Sequence, residues 1–223
     1  VHTPVFVLGS RSPARLRILQ AAGVQPLVRV SDVDEDAVLA ALPAGTDPAD
    51  AVTALARAKA EAIAALPDVA ALAGHVAAPA GADAPRPVVV IGCDSMLSLD
   101  GALLGKPHTA ERALAQWQSM RGGQATLLTG HHLIRLDTAP PRTAAGASGT
   151  TIRFADVPDT VIERYVATGE PLQVAGAFTL DGLGGWLIDG IDGDPSSVIG
   201  IGLPLVRSLV ERVGLQIADF WTG

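Results

Sequence analysis

The stretch Phe6-Val7-Leu8-Gly9-Ser10-Arg11-Ser12-Pro13-Ala14-Arg15 decides the reading of the chain, because an apolar run ending in Ser-x-Ser-Pro is a strand that turns directly into a helix. Ser12 suits the N-cap, and Pro13 takes the first helical position, where its missing N–H costs nothing. The helix is expected over Pro13 to Ala22. The unpaired N–H groups of its first turn then lie beside Ser10, Arg11 and Arg15. Backbone donors, the positive end of the helix dipole and guanidinium groups together favour a polyanion. An ordinary capped helix with surface arginines is the alternative at this point.

A second strand brings acid to the same region. Val88-Val89-Val90-Ile91-Gly92 is a continuous β-branched run of the kind buried on both faces, and it is expected to end at Asp94-Ser95. A carboxylate at the carboxyl end of such a strand sits at the crevice where open α/β sheets bind ligands. Leu99-Asp100-Gly101 reads as a tight hairpin turn, which would return Gly105-Lys106-Pro107 to the neighbourhood of Asp94. Lys106 is followed by proline, and the glycine spacing is wrong for a Walker A loop.

The remaining chain alternates strands and helices. A strand over Leu27 to Val30 continues into the acidic Asp32-Val33-Asp34-Glu35, and a helix from about Ala49 to Ala65, capped by Thr46 or Asp47, carries Lys59 in its later half. Residues 70–87, rich in Ala, Gly and Pro, read as a flexible extension. Helix Ala110 to Met120, strand Ala125 to Leu136, strand Thr151 to Ala155, helix Asp159 to Thr168 and helix Leu203 to Val213 follow. Thr138 to Thr150 reads as a mobile connection, and the glycine-rich 181–194 as turns between short strands. Gly182-Leu183-Gly184-Gly185 is no dinucleotide fingerprint, because strand-like Trp186-Leu187-Ile188 follows instead of a helix.

Composition bounds the function. The 223 residues, 48% hydrophobic and 17% charged, suffice for a substantial core, read as one domain over residues 1–223 with two lobes. A formal net charge of −7 excludes a broad nucleic-acid surface but not a nucleotide, for which Arg11, Arg15, Lys59 and Lys106 are a sufficient local cluster. No apolar run is long enough to span a membrane and no signal-type leader is evident, so the cytoplasm is the expected compartment. Cys93, the single cysteine, reads as an inert core thiol, and neither it nor His75, His108, His131 and His132 shows zinc-ligand spacing or a catalytic pattern.

Taken in order, these motifs resemble the Maf (septum-formation inhibitor) family of nucleoside triphosphate pyrophosphatases. The resemblance rests on Ser10-Arg11-Ser12-Pro13-Ala14-Arg15, Val33-Asp34-Glu35, Ala58-Lys59-Ala60, Cys93-Asp94-Ser95, Gly105-Lys106-Pro107, the run from Glu170-Pro171 to Gly182, and Gly193-Asp194 through Gly202-Leu203-Pro204. It implies an α/β fold: a mixed, extended, twisted sheet flanked by helices, with two lobes around a central cleft. It also implies cleavage of a nucleoside triphosphate between its α and β phosphates, a link to cell division, and a homodimer.

Such a reaction needs an in-line water, a base for its proton and positive charge on the phosphate oxygens. Asp94 is the expected base or activator of water, and Glu35 with Asp94 the expected ligands of a divalent cation, Mg²⁺ or Mn²⁺. Lys106, Lys59, Arg15, Ser10 and Ser12 would meet the phosphates, Ser95 would contact the substrate, and Asp181 would approach base or sugar. Departures from the family pattern fall at the cleft. Ala14 replaces the first of two arginines, Asp181 replaces a glutamine, and Ile199-Gly200-Ile201-Gly202 carries two extra residues. Thymine, uracil and methylated guanine nucleotides all remain open as substrates, as does a non-catalytic nucleotide-binding regulator of septation.

Overall fold

A computed structural model describes residues 4–73 and 86–222. Much of the expected extension at 70–87 therefore lies outside the described residues, as does His75. Seven strands form one mixed sheet: β1 (Val5–Gly9), β2 (Leu27–Arg29), β3 (Val88–Leu99), β4 (Ala102–Leu104), β5 (Gln124–Arg135), β6 (Arg142–Phe154) and β7 (Ile188–Asp192). Their order is β2-β1-β3-β5-β6-β7, with β4 beside the far end of β3. β1 runs parallel to both β2 and β3, whereas the β3–β5, β5–β6 and β6–β7 pairs are antiparallel. This is the expected mixed α/β architecture.

The helices are α1 (Pro13–Ala21), α2 (Glu35–Ala40), α3 (Pro48–Ala64), α4 (Pro67–Ala73), α5 (Ala110–Met120), α6 (Asp159–Ala167), α7 (Pro195–Ile199) and α8 (Leu203–Arg212). Three starts obey the same chemistry: Ser12, Asp47 and Asp194 each accept from a backbone N–H of the first turn, and each is followed by proline. Residues 70–73 close α4 rather than beginning a loop.

Three apolar clusters hold the layers together. On one face, Phe6, Leu8, Val89 and Ile91 meet Leu19 of α1 and Val206, Leu209 and Val210 of α8. On the other, Val7, Val88 and Val90 meet Ile63 of α3 and Val69 of α4. Alternate residues of β1 and β3 thus serve opposite faces, which is why both runs are apolar throughout. The third cluster lies under α5 and α6, where Trp117 stacks edge-on against Phe154 and Tyr165 at centroid distances of 5.6 and 5.7 Å. Trp117 Nε1 also donates to Ala177 O at 2.7 Å, tying the 175–178 segment to this core.

The structure departs from the sequence expectations in four places. β3 does not end at Asp94-Ser95 but continues to Leu99, with β5 paired along it from Val89 to Ser98. Residues 142–150 are not a mobile connection. They form the first part of β6, in register with β5 from Arg135↔Arg142 onward. Their Ala, Gly and Ser residues carry little strand propensity, and the ladder with β5 decides instead. The acidic segment past β2 enters a helix that the sequence reading did not place: Asp34 caps α2, its side chain accepting from Ala37 N at 3.0 Å, and Glu35 opens the helix. Trp186-Leu187, read as strand-like, close the 3₁₀ turn Leu183–Leu187, and β7 begins only at Ile188.

Candidate active site

The site lies where β3 loses its neighbour. β1 pairs with β3 only as far as Gly9↔Gly92, then leaves through Ser10–Ser12 into α1, while β4 takes up the same edge only from Leu97. Residues 93–96 therefore have no strand on that side, and Asp94 stands in the gap with 7% of its surface exposed. The expected placement beside a crevice holds, but the crevice comes from divergence of β1, not from termination of β3. The hairpin that returns Lys106 turns at Asp100 and Gly101, both with positive φ (48° and 83°), as a two-residue turn requires.

α3 reaches Asp94 because two glycines flatten the sheet beneath it. A Cβ on Gly92 would lie 2.2 Å from Ala56 O, and one on Gly130 would lie 2.3 Å from Val52 O. Only bare backbone lets the helix sit this close. Lys59 is thereby delivered between two carboxylates: its Nζ is 2.8 Å from Glu35 Oε1 and pairs with Asp94 Oδ1. Burial pushes the Asp94 carboxyl above its ordinary value, and the charges of Lys59 and Arg15 only partly offset this. Burial also acts upward on Glu35, but there Lys59, Lys106 and Arg15 prevail and hold the carboxyl below its ordinary value.

Arg15 is anchored rather than solvated. Nε donates to Gly200 O at 2.7 Å, Nη1 to Ser10 Oγ and Cys93 O at 3.1 and 3.0 Å, and Nη2 to Ser95 Oγ at 3.2 Å. The Gly200–Gly202 loop, between α7 and α8, thus supplies an anchor for this arginine. His131 holds the same loop from below, its Nε2 accepting from Gly202 N at 3.0 Å. Burial, with help from the Arg15 charge, pushes this imidazole down to about 4, so the acceptor lone pair persists at neutral pH. Cys93 is a buried thiol pushed up by burial to about 11, as its inert reading required.

All nine sequence-derived residues, Ser10, Ser12, Arg15, Glu35, Lys59, Asp94, Ser95, Lys106 and Asp181, line one cavity of about 760 Å³. Lys106 acts on Glu35 through its charge but makes no ion pair among the described residues. Two charged lining residues, Arg17 and Glu170, had no assigned role in the sequence. Arg17, three positions after Ala14 on α1, forms an ion pair with Asp181 at 3.0 Å across the cavity. That spacing on one helix face was a signal the sequence carried. Glu170 accepts from Thr179 Oγ1, Leu183 N and Gly184 N, and so shapes the wall that presents Asp181. The distance at Thr179 is 2.5 Å.

The cavity therefore combines a buried carboxylate of raised basicity, the cations Arg15, Lys59 and Lys106 and the first turn of α1, a set suited to activating water beside a polyanion. Against known proteins, the family model described as Maf-like protein matches residues 5–213. Proteins named nucleoside triphosphate pyrophosphatase match nearly end to end. The Rhodococcus jostii (strain RHA1) protein is 55% identical over 98% of this chain and 96% of its own length. The Nocardia farcinica (strain IFM 10152) protein is 55% identical over 98% and 97%, and that of Mycobacterium marinum (strain ATCC BAA-535 / M) is 51% identical over 98% and 97%. The chain belongs to the Maf-like family. Among the described residues, no helix is long and apolar enough to cross a membrane.

Proposed function

We propose that this cavity hydrolyses a nucleoside triphosphate to the monophosphate and pyrophosphate. The chain is a hydrolase, as its relatives named nucleoside triphosphate pyrophosphatase are. The observation that carries the residue assignment is Asp94: a carboxylate buried at a strand gap, raised in basicity, with Lys59 and Arg15 close enough to act on it. Asp94 takes the proton of the attacking water. Lys59 and Lys106 offset the charge gathering on the phosphate oxygens, Arg15 adds a fixed positive charge, and Ser10 and Ser12 offer hydroxyls at the helix start. Asp181, held by Arg17, faces the base or sugar.

A divalent cation fits this donor set as a companion of the substrate. Asp94 and Glu35 are hard oxygen donors, and each has one oxygen engaged by Lys59 and a second that is not. Among the described residues no cluster of three or more His, Cys, Asp or Glu could hold a metal alone, so the phosphates complete the set. When bound, Mg²⁺ or Mn²⁺ would add Lewis-acid stabilisation of phosphate charge. We read the enzyme as homodimeric on the family resemblance, and keep the cytoplasm, the compartment expected from its sequence, as part of the same proposal.

Pyrophosphate release from a panel of dTTP, UTP, the other common triphosphates and methylated guanine nucleotides tests the reading and identifies the base. Release is expected with Mg²⁺ or Mn²⁺ and should be lost in excess chelator. Tight nucleotide binding with no release in any metal would make the chain a binding protein instead.

A further inference from the structure

We propose that Thr129, which lies outside the cavity on β5, is a positioning residue for the reaction: tied to Ser197 O, it accepts the Ser95 proton and so holds the Ser95 hydroxyl in place against Arg15. The proposal rests on the reading of the cavity as a triphosphate site.

The direction of each bond follows from proton counting. Thr129 is fully buried, with Oγ1 at 2.9 Å from Ser197 O and 3.0 Å from Ser95 Oγ. A carbonyl only accepts, so the single Thr129 proton is committed to Ser197. Towards Ser95, Thr129 can then only accept, and Ser95 must give up its own proton. Anchored in this way, Ser95 Oγ stays within reach of Arg15 Nη2, which only donates, at 3.2 Å, and has no proton left for a ligand. Ser197 is itself set by α7, where Asp194 accepts from Ser197 N and the Ser197 hydroxyl returns to Asp194 O at 2.8 Å.

The consequence reaches the substrate. Of the five N–H groups of an arginine, Arg15 has four engaged, by Gly200, Ser10, Cys93 and Ser95. One remains for a ligand, so Arg15 is a fixed charge with a single donor and not a two-pronged clamp. Ser10 Oγ accepts from Ser12 N and from Arg15 Nη1, both at 3.1 Å, which leaves its own proton to donate. A triphosphate, which only accepts, is thus met by donors from Ser10 and Arg15 and by none from Ser95.

Thr129→Val keeps the shape and removes the relay, whereas Thr129→Ser keeps the hydroxyl. We expect kcat/KM to fall about tenfold in the Val variant, the scale of one charge-assisted hydrogen bond, and to stay within about twofold of wild type in the Ser variant. Exchange of the Arg15 Nη2 protons with solvent, followed by ¹⁵N NMR and assigned through their absence in Arg15→Lys, should be faster in Thr129→Val only. Ile152→Val, a core truncation in the third cluster, controls for lost stability and should exchange like wild type. Wild-type exchange in Thr129→Val, or equal impairment of the Ser and Val variants, would overturn the relay. Failure of the wild-type protein to hydrolyse any triphosphate would instead remove the functional reading, with the exchange measurement still deciding the relay.

Discussion

Lys59 Nζ lies 2.8 Å from Glu35 Oε1 while also pairing with Asp94 Oδ1, so one ammonium from α3 serves two carboxylates from different parts of the chain. Its charge works against the burial that raises the Asp94 carboxyl. Replacing it changes both the charge on the phosphates and the pH at which the base is ionised.

Lys59→Met should therefore lower kcat by a factor of ~10² or more, the scale of losing a preorganised electrostatic group. The acid limb of the kcat/KM profile should also move to higher pH. Without the ammonium, protonated Asp94 persists to higher pH, and only the ionised form accepts a proton from water. An acid limb at the wild-type position would detach Lys59 from the base.

Asp94→Asn separates catalysis from stability. The rate should fall by ~10² or more, as for loss of a positioned general base. A carboxyl raised in the folded state favours folding when protonated and loses that contribution as pH rises through the folded value, so at neutral pH its charge opposes folding. The melting temperature of the Asn variant at pH 7 should equal or exceed that of wild type. A lower melting temperature with normal single-turnover hydrolysis per folded molecule would make Asp94 a purely structural residue.

Gly92→Ala tests the route by which α3 reaches the site. Its Cβ would meet Ala56 O at 2.2 Å and Ala60 N at 2.7 Å, backbone atoms that cannot turn aside. The helix must move, at a cost of about 1–3 kcal/mol or more for overpacking. Lys59 moves with it. Urea denaturation should show the loss of stability, and kcat of the folded fraction should fall; intact kcat would mean that α3 tolerates the shift without disturbing Lys59.

Acid should loosen the Gly200–Gly202 loop. His131 is held neutral down to about 4 by burial and the Arg15 charge, whereas a histidine in the unfolded chain takes a proton near its ordinary value of about 6.5. Between those values the unfolded state binds more protons, so stability is present above the window and is lost as pH falls through it, by a few kcal/mol. Neighbouring His132 is also lowered by burial and adds to the same slope. The pH dependence of denaturant midpoints should flatten in His131→Gln; an unchanged slope would assign the acid sensitivity elsewhere.

Local chemistry made much of this protein legible in its sequence. The Ser12–Pro13 helix start, the doubly buried Val88–Ile91 run and the Asp100–Gly101 turn are each dictated by neighbours a few residues apart, and the structure shows all three. The motif order likewise named residues that share one cavity. What tertiary structure alone decided depended on partners far along the chain. β3 runs past Asp94 because β5 pairs with it, and residues 142–150 form a strand because β5 supplies the ladder despite their weak propensity. The gap in which Asp94 stands arises from where β1 departs and β4 begins, positions no local pattern around Asp94 encodes. The Arg17–Asp181 pair joins residues 164 positions apart, and the Thr129 relay joins β3, β5 and α7. Hydrogen-bond direction in that relay follows from which groups meet, and only folding brings them together.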